Sequence, residues 1–318
     1  FFRVGTRPKT SEMIRFIDEY RVRFSVEFIC KTLKNNRAGG FITSRGYRQS
    51  KARGLSARRL RDAVLVERIR TVHRDNYGVY GVRKMWHALR RDGIDIGREQ
   101  TARLMRLAGV SGKGKGRSPL TTRKPNVPDL RPDLVEREFK APGPNKLWVA
   151  DITYVRTKKG FVYAAFVTDV YSRRIVGWAL SDSMRTEALP LQALNQAIVC
   201  AEETTGLIHH SDHGSQYVSV VYNERLAQHG IAASTGTVGD SYDNALAENV
   251  NGSYKNELIH TRRWDDVVEV EIATFEWVSW WNEMRLHQSL GYRTPVEVET
   301  DFWKQNPPQE IIEIKANA

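Results

Sequence analysis

Residues 147–180 read LWVADITYVRTKKGFVYAAFVTDVYSRRIVGWAL, and the fold turns on this stretch. Leu147 to Val155, Phe161 to Val170 and Ile175 to Leu180 are apolar runs of strand length. Turn-like Lys158-Lys159-Gly160 and Ser172-Arg173-Arg174 separate them, which predicts three strands in an antiparallel meander. Downstream, the pattern alternates. A helix is predicted over Thr186–Ala201, a strand over Leu207–His210, a helix over Tyr217–His229 and a fifth strand over Ile231–Ser234. Helices from about Asn244 to Ile259 and from Trp264 to Met284 complete the region. A meander followed by alternating strands and helices gives an α/β fold with a five-stranded mixed sheet flanked by helices.

Upstream the chain changes character. Residues 1–141 hold 34 Lys and Arg against 14 Asp and Glu, net +20, whereas residues 142–318 hold 15 against 23, net −8. The total of +12 averages two unlike parts, one suited to phosphates and one carrying acids. The basic part reads as helices. Met13, Ile14, Ile17, Tyr20, Phe24, Phe28 and Ile29 fall near helical spacing between Ser11 and Leu33, and after a basic connection Leu60 to His73 is helical. Val82, Met85, Trp86 and Leu89 then form one apolar face. Asp92-Gly93 stops that helix, and a second, from about Arg98, buries Thr101, Leu104, Met105 and Ala108. Two short helices around a Gly-containing turn make a helix-turn-helix candidate, with Arg98, Gln100, Arg103 and Arg106 off the apolar face for contact with DNA. The expected organisation is an N-terminal helical segment (1–57), a helix-turn-helix-like domain (58–110) and a basic Pro/Gly-rich linker (111–145). A catalytic core with its C-terminal helix (146–300) and a tail (301–318) follow. Two cysteines, Cys30 and Cys200, exclude a disulfide framework and a Cys-rich zinc site. No apolar run approaches membrane-spanning length, so a cytoplasmic protein, nucleoid-associated when bound to DNA, is expected.

Three carboxylates stand out on this framework. Asp151 interrupts the apolar run WVADITY, Asp212 follows the fourth strand in HHSDHGSQY, and Glu248 lies on a predicted helix, with 35 residues between it and Asp212. Three acids brought together without counter-charge repel and cannot all stay ionised near neutral pH. Two Mg²⁺ ions, with Mn²⁺ able to stand in, would resolve that conflict. They would also activate a hydroxyl and stabilise a leaving oxygen in displacement at phosphorus.

These residues carry a resemblance. From MIRFIDEYRVRFSVEFICKTL through YGVRKMWHALRRDG to WWNEMRLHQSLGYRTP, the chain resembles the second-reading-frame transposases of bacterial insertion sequences, which have a retroviral-integrase-like DDE core. The ordered set Asp151, Asp212 and Glu248, with Lys255 seven residues after Glu248, is the most specific part of it. The resemblance implies an RNase H-like fold and a two-metal site with the three acids as ligands. It implies cleavage at element ends followed by strand transfer through a free 3′ hydroxyl. Double-stranded DNA is then the partner, as terminal inverted repeats and as target, with a homo-oligomer in the synaptic complex. An upstream-frame helix-turn-helix and leucine-zipper partner or fusion also belongs to this picture.

Lys255, nearly two helical turns from Glu248, shares its face and is placed to hold a terminal phosphate. Arg285 and His287, which match the family tail, are candidate DNA contacts. Asp169 reads as a turn or ion-pair residue, Asp243 as a helix cap, and His209, His210 and His213 as orienting or DNA-contacting groups rather than metal ligands. Trp277, Trp280 and Trp281, at i, i+3 and i+4, read as core. GKGKGR lacks the P-loop spacing and reads as a basic linker. The rival readings are a catalytically silent DNA-binding regulator and an RNase H-like structure-selective nuclease that only hydrolyses.

Overall fold

The computed structural model describes residues 8–36, 39–54, 56–114, 132–135, 138–185, 187–201, 203–212, 214–235 and 245–307. The chain divides into two compact units, Phe1–Glu67 and Arg68–Ala318.

In the first unit, α1 (Thr10–Tyr20), α2 (Val26–Asn35) and α3 (Ser44–Ala52) enclose Met13, Ile17, Ile29, Cys30, Phe41, Ile42 and Tyr47. The apolar period from 11 to 33 runs through two helices rather than one, because Ser25 caps α2 by accepting from the Phe28 N–H at 3.2 Å. Helix α3 falls in the stretch expected to be a basic connection. SRGYRQSKA contains a single large apolar residue, Tyr47, so it has no period to read; its start is set by Thr43, which accepts from the Gly46 N–H. The Tyr47 hydroxyl donates to Asp18 Oδ1 at 2.7 Å, joining α3 to α1. Helix α4 (Ala57–Asp75) contains the division between the units.

The second unit holds α5 (Val82–Arg91) and α6 (Arg98–Ala108), with Met85, Leu89, Leu104 and Met105 buried between them. Trp86 Nε1 donates to the Ile96 carbonyl at 2.8 Å and closes the turn. Next come β1 (Leu147–Thr157), β2 (Gly160–Asp169) and β3 (Ile175–Ser181), the expected antiparallel meander. Then follow α7 (Pro190–Ala201), β4 (Ile208–Ser211), α8 (Val220–Gln228), β5 (Ala232–Thr235), α9 (Ala245–Glu257) and α10 (Val267–Glu283). Strands β4 and β5 add in parallel, giving the sheet order β3-β2-β1-β4-β5. On one face Trp148, Ala150, Ala165 and Val167 pack under α7 and α8; on the other, Leu147 and Val149 meet Ala247 of α9. Gly177 is required on β3, since a Cβ there would lie 2.1 Å from the Ala193 carbonyl oxygen of α7.

Helix α11 (Pro295–Gln305) runs across the expected boundary between core and tail at residue 300. Proline at its first position and a Thr294–Glu297 capping box start it. Contacts within this unit fix α5 and α6 to the C-terminal helices: Trp280 Nε1 donates to Asn76 Oδ1 at 3.1 Å, the Leu286 N–H donates to the Tyr80 hydroxyl at 2.8 Å, and Arg91 pairs with Glu297. The helix-turn-helix pair and the sheet therefore belong to one compact body. Among the described residues no helix is long and apolar enough to cross a membrane.

Candidate active site

Two neighbouring strands and one helix build the site. Parallel pairing of β1 with β4 sets Ala150 opposite Ser211, so the next residue on each strand is a carboxylate: Asp151 on β1 and Asp212 just past the carboxyl end of β4. The crevice at the carboxyl ends of parallel strands is where α/β sheets place ligands. Asp212 is held by the turn that follows, its Oδ1 accepting from the Gly214 N–H at 3.0 Å. Helix α9 supplies the third acid. Asn251, one turn after Glu248, donates from Nδ2 to Asp151 Oδ2 at 2.9 Å and ties the helix to β1. The Ile152 N–H donates to Asp151 Oδ1 at 2.8 Å.

The electrostatics are those of crowded acids. Burial first, and then the charge of Asp212, push the Asp151 carboxyl up to about 8, against the opposing pull of its two hydrogen bonds. Glu248 is raised by burial and then by Asp212, although its side chain lies on the solvent side of the first turn of α9. Among the described residues, no three His, Cys, Asp or Glu side chains converge closely enough to hold a metal together. The donor chemistry nonetheless fits a hard divalent cation. All three groups are carboxylates, their mutual repulsion calls for positive charge, and Asn251 Oδ1 is buried with no hydrogen-bond partner.

Lys255, one turn beyond Asn251, stands with Nζ 4.4 Å from the centre of the Tyr154 ring. Burial lowers its pKa while the charge of Asp151 opposes that shift. Neither Asn251 nor Tyr154 stands out in the sequence. Their signals are spacing alone, three residues after Glu248 and three after Asp151, and neither residue type announces itself.

On α6, Arg98 and Arg106 are exposed, and Gln100 and Arg103 are partly buried. Arg285 and His287, expected as exposed DNA contacts, are instead largely buried, and Arg285 is engaged by a carboxylate of the chain itself. Arg285 lies against Glu257, donating from Nε at 3.0 Å to Oε2 and from Nη2 at 2.6 Å to Oε1, and stacks 4.3 Å from the Trp281 ring. His287 is buried beside it. The Asp169 carboxylate accepts from the Ser172 and Asn145 N–H groups, the turn role expected of it. His209 and His210 are fully buried, His210 meeting Ser234 Oγ at 2.9 Å and His209 the Tyr222 hydroxyl at 3.0 Å, so both pack inside rather than reach DNA. Trp277, Trp280 and Trp281 are core, as their spacing predicts. Asp243 and His213 lie outside the described residues.

Residues 141–241 and 229–295 match family models described as "Integrase core domain", and residues 59–118 match one described as "HTH-like domain". A Mycobacterium tuberculosis (CDC 1551 / Oshkosh) protein, provisionally assigned as the transposase for insertion sequence element IS986/IS6110, is 48% identical over 79% of this chain and 92% of its own. The transposase for insertion sequence element IS629 from Shigella sonnei is 48% identical over 78% of this chain and 83% of its own. Transposase InsF for insertion sequence IS3A from Escherichia coli K12 is 30% identical over 89% and 97%. Among solved structures, an HTLV-2 integrase catalytic core covers 50% of this chain and 99% of its own at 19% identity with a TM-score of 0.40, too slight a likeness to add to the assignment.

Proposed function

The chain belongs to the insertion-sequence transposases, and from that premise we propose that Asp151, Asp212 and Glu248 are its catalytic metal ligands, cutting element ends and joining them to target DNA. The observation that carries the assignment is their placement: Asp151 lies beside Asp212 across the β1–β4 pair and is hydrogen-bonded to the helix that bears Glu248. Two Mg²⁺ ions, or Mn²⁺ in their place, would supply Lewis-acid activation of the attacking water or 3′ hydroxyl and charge stabilisation for the leaving 3′ oxygen. The chain's own residues do the rest. Asn251 holds Asp151 in one rotamer, and Gly214 holds Asp212. Lys255, partly desolvated beside the acids, is placed to hold a phosphate of the terminal DNA. Arg98, Gln100, Arg103 and Arg106 of α6 meet the duplex of the terminal repeat, and the functional form is an oligomer that brings two ends together on the bacterial nucleoid in the cytoplasm.

Strand transfer on a labelled element end tests the assignment. Glu248→Gln is expected to lower the rate on the order of a thousandfold or more, the equivalent of several kcal/mol of lost transition-state stabilisation. Near-normal cutting and joining by that variant would sink the reading. Cutting without joining by the wild-type chain would replace it with a hydrolytic nuclease.

A further inference from the structure

Helix α9 has a second face. Glu248, Asn251 and Lys255 serve the acids, while Asn249, Ser253 and Asn256 line a cleft of about 910 Å³ that also touches the start of α5 and the β2–β3 turn. Its charge is one-sided. Arg83, Lys84, Lys113, Arg173 and Arg285 all line it, with Glu257 as the carboxylate among them, and Glu257 is already bound to Arg285. Among the described residues, Arg83, Lys84 and Arg173 make no ion pair and no side-chain hydrogen bond, and Lys113 reaches only the Asn256 carbonyl at 3.5 Å.

The backbone is shaped to keep these groups there. Arg173 adopts φ +65°, a left-handed conformation that costs a non-glycine residue energy, and its carbonyl is pinned by Trp281 Nε1 at 2.9 Å. The segment 111–114, the described start of the Gly/Lys run read as linker, lies against the N-terminus of α5. A Cβ on Gly112 would sit 2.6 Å from Gly81, so only glycine lets Lys113 arrive at the cleft. Gly81 caps α5 without a side-chain acceptor, leaving the first N–H groups of a ten-residue helix at the cleft wall. Burial first, and then the Arg285 charge, pull the Lys84 ammonium down to about 7, with the charge of Glu257 only partly opposing them.

We propose that this cleft is a phosphate-binding site for the backbone of the DNA on which the chain acts, linking the helix-turn-helix to the catalytic helix. The inference rests on the transposase reading for the identity of the polyanion. An open cleft with several unpaired cations matches successive phosphodiesters better than one small anion. Its α9 wall, Asn249, Ser253 and Asn256, is a different face of the helix from the one bearing Glu248, Asn251 and Lys255.

The test is the salt dependence of binding of fluorescein-labelled duplex DNA to the full chain without metal, for wild type, Lys84→Met, Arg83→Gln, Arg173→Gln and a control on α11, Lys304→Gln. Each cleft variant is expected to reduce the slope of log K against log salt by about one, the loss of one phosphate contact, while Lys304→Gln leaves it unchanged. Lys84→Met removes a half-buried charge repelled by Arg285 and is expected to melt no lower than wild type, so weakened binding is separable from misfolding. Unchanged slopes in the three cleft variants would overturn the proposal and leave the transposase reading standing. An equal loss in Lys304→Gln would overturn it too, by showing only a general charge effect. Saturable binding of inorganic phosphate alone, lost in Lys84→Met without any change in DNA slope, would replace it with a small-anion site. If the cleft variants lose slope but the wild-type chain neither cuts nor joins element ends, the cleft stands and the catalytic reading falls.

Discussion

His287 turns the buried cluster behind α10 into a measurable pH dependence. Arg285 Nη1 lies 3.2 Å from His287 Nδ1, and His287 Nε2 lies 3.2 Å from the Trp281 carbonyl. A guanidinium only donates, so Nδ1 must accept and Nε2 must carry the proton: the imidazole is neutral. Protonating Nδ1 would set an N–H against a guanidinium inside the protein. Burial first, and then the charge of Arg285, lower the pKa from 6.5 to about 2. The unfolded chain therefore binds this proton below about pH 6.5 while the folded chain refuses it, so stability is full above that value and falls as the pH drops towards 2. At pH 5 the deficit is about 1.5 pH units, or about 2 kcal/mol. The assay is urea unfolding at pH 7 and pH 5 for wild type and for His287→Gln, whose amide can accept from Arg285 and donate to Trp281 without titrating. Other titrating groups cancel between the two proteins, so the variant's loss between the two pH values should be smaller by about 2 kcal/mol. Equal losses in both proteins would refute the neutral, buried assignment and restore His287 as a candidate DNA contact.

Glu257→Gln leaves Arg285 buried without its counter-charge and is expected to cost about 3–5 kcal/mol in the same unfolding assay. Gly177→Ala drives a methyl group to 2.1 Å from the Ala193 carbonyl oxygen, a backbone atom that can move only if α7 lifts from the sheet; chemical denaturation should show a loss of several kcal/mol or no folded protein. Asp151 has the opposite sign to His287. Its raised pKa means that the folded chain holds a proton the unfolded chain has lost between about pH 4 and 8, so without metal its contribution falls as pH rises through that window. Asp151→Asn should accordingly raise the melting temperature at pH 8 in EDTA, and added Mg²⁺ should stabilise the wild type but not the variant.

The contrast between the acids and the basic tail explains what the sequence could disclose. Asp151 was legible because a charge inside WVADITY violates the apolar run around it, and Asp212 and Glu248 because each follows or sits on an element that its own neighbours define. Those signals are local. The role of Arg285 is not local: its partner Glu257 lies 28 residues earlier, at the end of α9, and an arginine has the same letter whether it faces a phosphate or a buried carboxylate. The same reason hid Asn251, whose hydrogen bond to Asp151 spans 100 residues. Helix α3 escaped because its burial rests on Tyr47 alone, and α11 because its capping box marks a start without a sustained apolar period behind it. Charge counts fail in the same way. A net of +20 upstream of Pro142 predicts contact with a polyanion, but it does not separate Arg91, neutralised by Glu297, from Lys84 and Arg83, which face the cleft and make no ion pair. The unpaired subset carries the binding, and only the folded arrangement of α5 against α9 and the β2–β3 turn defines that subset.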